Sequence, residues 1–452
     1  GGRSFRPDCR GLPQNCHMSF TNQEKSVDQP RRWALRGDLL DFTAAPAWGD
    51  VEPAAVRFDR DHWLLIEGGR IVGRQAAEPD ASWVRRDHAG QLVLPGFIDT
   101  HVHCPQLEVI ASYGTELLDW LQRYTFPAER AFADPARSRA GAEVFLDALL
   151  ASGTTAVVVF PTVHKVSAEA LFDGAAARGM RLITGKVLMD RHAPDGLRDD
   201  VAQAERDCID LIDRHHGQGR NAYAVTVRFA PTSTPEQLAM AGGLCRADAS
   251  LYLQTHVAEN RAEVAWVAEL FPQARSYLDV YERVGLVHER AVLAHGIWLD
   301  EADRRLLADR GAQVAHCPSS NLFLGSGLFD WPGAPFAVSL ASDVGGGTTL
   351  SLPRNLGDAY KVQALRGARL TAWTALHAAT RGAAEALRLG DEIGGLSVGQ
   401  TADLCVWHWA QGPVAAARDA VARDLHERVF AWMTLADERN LAACYVAGQR
   451  RV

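Results

Sequence analysis

Between residues 97 and 343 the chain alternates short apolar runs with longer stretches in which apolar residues recur at spacings of three and four among charges. The runs, 97–103, 155–161, 182–187, 225–230, 251–256, 291–295, 313–316 and 338–343, are rich in Val, Ile, Leu and Ala, with polar or His-containing ends. Each predicts a buried strand. The stretches between them, such as 142–151, 168–178, 235–241, 261–270 and 301–310, carry the period of amphipathic helices. Such strand–helix alternation predicts an α/β fold with a parallel sheet, and eight units favour a TIM-like (β/α)8 barrel, which takes about 250 residues plus insertions. An open, doubly wound sheet is the structural alternative.

The flanks follow another rhythm. Residues 33–42, 62–67, 70–75 (after a Gly68-Gly69 turn) and 91–94 read as short strands, and 402–409 and 442–446 read likewise in the tail. The two ends are expected to pair into one small β-sandwich. The domain organisation predicted is therefore a barrel over 95–389, a β-sandwich from 30–94 plus 390–452, and a stretch 1–29 without periodicity, disordered or in part foreign to the native chain.

Composition narrows the function classes. A chain of 452 residues with 47% hydrophobic content has ample material for a core. Its net charge of -8, with basic residues scattered rather than striped, argues against nucleic acid as a partner. No apolar segment reaches the length of about 18 residues that a membrane span needs. Eight cysteines without a Cys-x-x-Cys pair are too sparse for a disulfide framework and read as reduced thiols, so the cytoplasm is the expected compartment.

The candidate chemistry sits where the predicted strands end. His101 and His103, two apart on one strand, point to the same face. The fifth, sixth and eighth strands end in His256, His295 and Asp343, so five ligands or proton carriers reach the C-terminal rim, where barrel enzymes place their sites. Taken singly, His256 could be a core histidine, His295 a helix cap and Asp343 an N-cap. Taken together they suit zinc or another divalent metal, which leaves a position for a water whose pKa it lowers toward about 7. Glu259, three residues after His256, is placed to move a proton; the plain alternative is a solvated carboxylate in a first helical turn.

Several segments carry a resemblance. Residues 95–106 (Pro-Gly-Phe-Ile-Asp-Thr-His-Val-His-Cys-Pro-Gln), Leu118-Asp119-Trp120-Leu121 with Tyr124-Thr125-Phe126-Pro127 and Glu129, Arg228-Phe229-Ala230-Pro231-Thr232, and His316-Cys317-Pro318-Ser319-Ser320-Asn321 resemble the guanine deaminases of the amidohydrolase superfamily. The resemblance implies one zinc on His101, His103, His256 and Asp343, with Glu259, His295 and Asp343 as catalytic groups. It implies purine contacts from Gln106, Arg228, Phe229 and His256, hydrolysis of guanine to xanthine and ammonia, and a homodimer. The connection 104–153, with Trp120, Tyr124 and Phe126, is the candidate wall or lid, an ordinary peripheral helix being the other reading.

His164 and His192 are expected in exposed loops, His316 is expected to support the rim through a hydrogen bond, and Lys186 is not expected to bridge two metals as a modified lysine does in some relatives. The rival readings are another superfamily deaminase or cyclic amidohydrolase acting on a different purine, pterin or triazine, and a barrel kept only as a scaffold. The second requires lost ligands, and none is lost.

Overall fold

The computed structural model describes residues 31–113 and 120–452. The segment 1–29 expected to stand apart from the fold, with Cys9 and Cys16, lies outside the described residues, as do Leu118 and Asp119.

The barrel strands are β5 (Phe97–His103), β6 (Thr154–Phe160), β7 (Arg181–Thr184), β9 (Asn221–Val227), β10 (Tyr252–Val257), β11 (Ala291–His295), β12 (Gln313–His316) and β13 (Ala337–Leu340). They lie side by side in this order, and every ladder along the path is parallel. All eight predicted runs are strands. The third is split: β8 (Val187–Leu188) continues along β9 after a break at Gly185-Lys186. Glycine is required at the break, since a Cβ on Gly185 would come 2.0 Å from the Ala224 carbonyl oxygen.

Amphipathic stretches became helices around the strands, including Pro135–Ala151, Lys165–Arg178, Pro235–Ala247, Arg261–Leu270 and Glu301–Arg310. Their starts are fixed locally: Asp134, Thr234, Asn260 and Asp300 accept hydrogen bonds from backbone N–H groups of the first turn, and Asn260 forms a capping box with Glu263.

The ring closes between its first and last strands without a regular ladder. Thr100 Oγ1 and Ser339 Oγ are 2.8 Å apart. Beyond the end of β13, the Asp343 N–H donates to the His101 carbonyl at 2.9 Å and the His103 N–H donates to the Val344 carbonyl at 2.9 Å. The eighth run was expected to stay a strand to residue 343; it leaves the ladder after Leu340, and Asp343 has φ +48°.

The chain ends form the second sheet, from β1 (Arg32–Phe42), β2 (Val56–Glu67), β3 (Arg70–Gln75), β4 (Val84–Pro95), β14 (Leu404–Trp407), β15 (Leu441–Val446) and β16 (Gln449–Arg450), in the order β16-β15-β14-β4-β1-β2-β3. This sheet rolls over on itself. Trp33 of β1 stacks on Tyr445 of β15 at 4.9 Å, and the Gly68-Gly69 turn meets Ala447. Between the two halves Leu35, Leu64, Ile71, Val93, Leu404 and Val406 form a core of their own, which is the sandwich interior the sequence predicted.

One residue, Gly96, separates β4 from β5, so the small sheet and the strand bearing both histidines are a near-continuous line of chain. A Cβ on Gly96 would lie 2.1 Å from Thr155 Oγ1, inside the contact between β5 and β6. Gly96→Ala is therefore expected to destabilise the fold by about 1–3 kcal/mol, the usual cost of overpacking. Thermal or urea unfolding checks it, and a wild-type midpoint would show that Thr155 moves aside freely.

Candidate active site

At the C-terminal rim three imidazoles and a carboxylate converge. His103 Nε2 is 3.3 Å from His101 Nε2 and 3.2 Å from His256 Nε2, while Asp343 Oδ1 is 3.2 Å from His101 Nε2 and 3.3 Å from His103 Nε2. All four donor atoms fall within 4.8 Å of one another. A tetrahedron with metal–ligand distances of about 2.0–2.1 Å has edges of about 3.3–3.4 Å, so these contacts are those of donors arranged around a divalent cation.

The protonation states agree. Burial holds the His103 imidazole down to about 3 and also lowers His101 and His256, so all three are neutral donors. Burial pushes the Asp343 carboxyl up, but His101 and His103 outweigh it and hold it well below the usual carboxylate range. The His256 Nδ1–H donates to the Arg228 carbonyl at 2.6 Å, which leaves Nε2 as the ligand atom. The Phe160 ring lies about 5 Å from each of the three imidazole rings. A second grouping, His101, His295, Cys317 and Asp343, is also close. There burial raises the Cys317 thiol far above its ordinary value, which disfavours the thiolate a metal requires.

His295 stands beside this centre with φ +70°, a left-handed turn at the end of β11 that a non-glycine residue adopts at a cost. Its Nδ1–H donates to Asn321 Oδ1 at 2.9 Å, and Nε2 faces Glu259 Oε2 at 3.5 Å and Asp343 Oδ2 at 3.8 Å. Burial opposes its protonation, yet the two carboxylates prevail and its pKa is raised. Glu259 accepts a hydrogen bond from Ser326 Oγ at 2.7 Å. Behind it, Glu263 accepts from the Glu259 N–H at 3.0 Å and from the Tyr277 hydroxyl at 2.6 Å; burial, then the Glu259 charge, push Glu263 up to about 7.

The centre opens into a cleft bordered by His103, His256, Glu259, His295 and Asp343. Gln106, Arg228 and Phe229 line it with Trp120 and Leu121, so the long connection after β5 forms one wall, while Tyr124 is packed behind in a satellite apolar cluster. Phe126 lies under Arg228, whose guanidinium carbon is 5.4 Å from the ring centre. Arg228 Nη1 donates to both oxygens of Glu129, at 2.8 and 2.7 Å.

Every residue expected at the site is thus in one place. Glu129 and Asn321 stood in the motifs without a role; Phe160, Glu263 and Ser326 went unremarked, since their importance comes from contacts between elements distant in sequence. The remaining expectations divide. Lys186 is tied to Asp199 in a buried ion pair, and His192 is exposed with its ring against Trp266. His164 is half-buried at the start of the helix Lys165–Arg178, not fully exposed as expected, because as the N-cap residue it sits at the helix end and not in a free loop. His316 does not support the rim by hydrogen bonding: neither ring nitrogen has a partner among the described residues, and the ring packs against Phe329 and Trp331. Its aromatic surroundings supply packing and no polar atom.

A closed ring of parallel strands with such a donor set at its C-terminal rim is the architecture of a metal-dependent hydrolase, and residues 92–451 match the amidohydrolase family pattern. The chain belongs to the amidohydrolase family. Within that family the chain is similar to guanine deaminases over most of its length. The guanine deaminase of Escherichia coli (strain K12) is 41% identical over 425 residues, covering 92% of this chain and 97% of that one. A solved structure of E. coli guanine deaminase matches with TM-score 0.88 at 39% identity, over 93% of this chain and 98% of that chain. Guanine deaminase from Bradyrhizobium japonicum matches at 0.89 and 33% identity, over 93% and 98%. The structure of guanine deaminase from C. acetobutylicum with guanine bound in the active site matches at 0.84 and 26% identity, over 93% and 99%.

Removing one donor tests the metal assignment. His103→Ala is expected to lower the metal retained after gel filtration about tenfold or more. Unchanged metal content would move the ion to the grouping that includes His295 and Cys317.

Proposed function

We propose that this chain hydrolyses guanine at C2, adding water and releasing ammonia to leave xanthine. The observation that carries the reading is that one cleft joins the cluster of three imidazoles and a carboxylate to a fixed guanidinium, an amide and an aromatic ring. Zinc, one per chain, suits three imidazoles and a carboxylate. When bound, it supplies a water that is acidic enough to lose a proton near neutral pH and a positive charge that polarises the site.

The chain's own residues do the rest. Arg228 donates to an acceptor on the purine, Gln106 bonds to the same edge, and Phe229 offers its ring to the base. Glu259 takes the proton of the attacking water and delivers it to the ring nitrogen beside C2, then helps protonate the departing amine. His295, held by Asn321 in one orientation, donates to the oxygen being added and stabilises its negative charge, while the Asp343 carboxylate accepts a hydrogen bond from that oxygen's proton. Trp120 and Leu121 narrow the entrance and keep bulk water out. The same reading takes the enzyme as a cytoplasmic homodimer serving guanine catabolism and purine salvage; light scattering checks the assembly.

Xanthine formation from guanine is expected to be abolished by a chelator and restored by zinc. Turnover of adenine, 8-oxoguanine or ammeline in preference to guanine would favour a different deaminase, and two metals per chain would sink the single-ion assignment. Glu259→Gln is expected to lower kcat by about a hundredfold or more with metal retained; near-normal turnover would assign the proton transfers elsewhere. Arg228→Ala is expected to raise KM with zinc still bound, and unchanged kinetics would remove Arg228 from the purine subsite.

A further inference from the structure

Behind the cleft's Arg228 and Gln106 lies a buried carboxylate that the proposed reaction leaves without a task. Glu129 is 1% exposed and lies on the short helix Phe126–Ala131. Both its oxygens accept from Arg228 Nη1, and Oε1 also accepts from Gln106 Nε2 at 3.2 Å. We infer that Glu129 is the positioning residue that makes this pocket select purines with a carbonyl oxygen at the edge facing Arg228. This rests on the guanine reading above.

Three consequences of the geometry support it. An arginine keeps its proton under all ordinary conditions, and a buried guanidinium persists only with a counter-charge. Glu129 is that charge, and because it engages Nη1 twice it leaves the other guanidinium donors for the cleft that Arg228 lines. Next, Gln106 is fixed in one orientation. Its Nε2 donates to the carboxylate while its Oε1 accepts from the Gly345 N–H at 3.3 Å, and flipping the amide would set oxygen against carboxylate and donor against donor. Finally, Phe126 and Glu129, one helical turn apart, support the guanidinium from its face and from its edge.

The pocket therefore presents a fixed donor that cannot become an acceptor. A purine carbonyl satisfies it, whereas an amino group at the same carbon brings N–H against N–H and leaves both unpaired. Discrimination at this edge comes from Glu129 through two side chains that it holds and that themselves meet the base.

The test compares guanine with 2,6-diaminopurine, which carries the same amino group at C2 and differs at the carbonyl carbon. In Glu129→Gln, KM for guanine is expected to rise about tenfold or more and the preference for guanine to narrow about tenfold, with kcat within about threefold and metal content unchanged. Glu129→Asp, which keeps the charge, is expected to recover part of both. Folded Glu129→Gln with wild-type KM and preference overturns the inference, as does a loss of kcat with the preference intact. If Glu129→Gln does not fold, wild-type KM and preference in Glu129→Asp overturn it instead. Wild-type enzyme that leaves guanine unchanged sinks the guanine reading itself. In that case calorimetric binding of hypoxanthine against adenine, to wild type and Glu129→Asp, tests Glu129 alone: a carbonyl preference that weakens in the variant supports the role, and equal preferences end it.

Discussion

The site depends on how the barrel closes. His101 and His103 lie on the first strand and Asp343 follows the last, so the carboxylate reaches the imidazoles only because the two ends of the ring are held together. The backbone bonds between Asp343 and His101 and between His103 and Val344 do this directly. Below them, Asp99 accepts from the Ser342 N–H at 3.1 Å, from the Ser342 hydroxyl and from the His101 N–H at 3.3 Å, tying the two segments with one side chain. Burial raises that carboxyl to about 7, against the donors that favour its charge. Metal coordination and strand pairing are thus the same contact viewed from two sides, and either strengthens the other.

Buried charge is the second organising feature. Arg228 with Glu129 and Lys186 with Asp199 are pairs that removal of one partner leaves uncompensated, at about 3–5 kcal/mol by general experience. Such pairs give little net stability. Their contribution here is directional: each fixes a long side chain that would otherwise sample many rotamers at the mouth of the barrel. The left-handed turns at His295 and Asp343 act in the same sense, aiming side chains inward where an ordinary strand end would continue outward.

The architecture was legible because its signals are local. Each strand was a short run rich in Val, Ile, Leu or Ala, and the two-residue spacing of His101 and His103 needed no tertiary knowledge. His256, His295 and Asp343 were found because strand ends share a rim by topology. The contacts that tune the site were less legible for the same reason. Asn321 orients His295 across 26 residues and Glu129 meets Arg228 across 99, distances at which sequence offers a motif but no partner. His316 was expected to support the rim through a hydrogen bond and is held by aromatic packing, because a histidine at a strand end reads alike whether polar or apolar groups surround it. The break in the third strand was hidden in a Gly whose role depends on a neighbouring carbonyl.

The rolled sheet has a consequence for the order in which this molecule is made. β4 pairs with β14, and Trp409 Nε1 donates to Asp38 across 371 residues of chain. A ribosome therefore releases the histidine strand long before the surface that anchors it exists, and closing so large a loop is slow by the entropy of search. During that interval the half-sheet of β1 to β4 exposes an open edge, the kind of template on which nascent chains pair wrongly. The sheet that leads into the histidine strand is therefore completed by residues that follow all four donors in the chain.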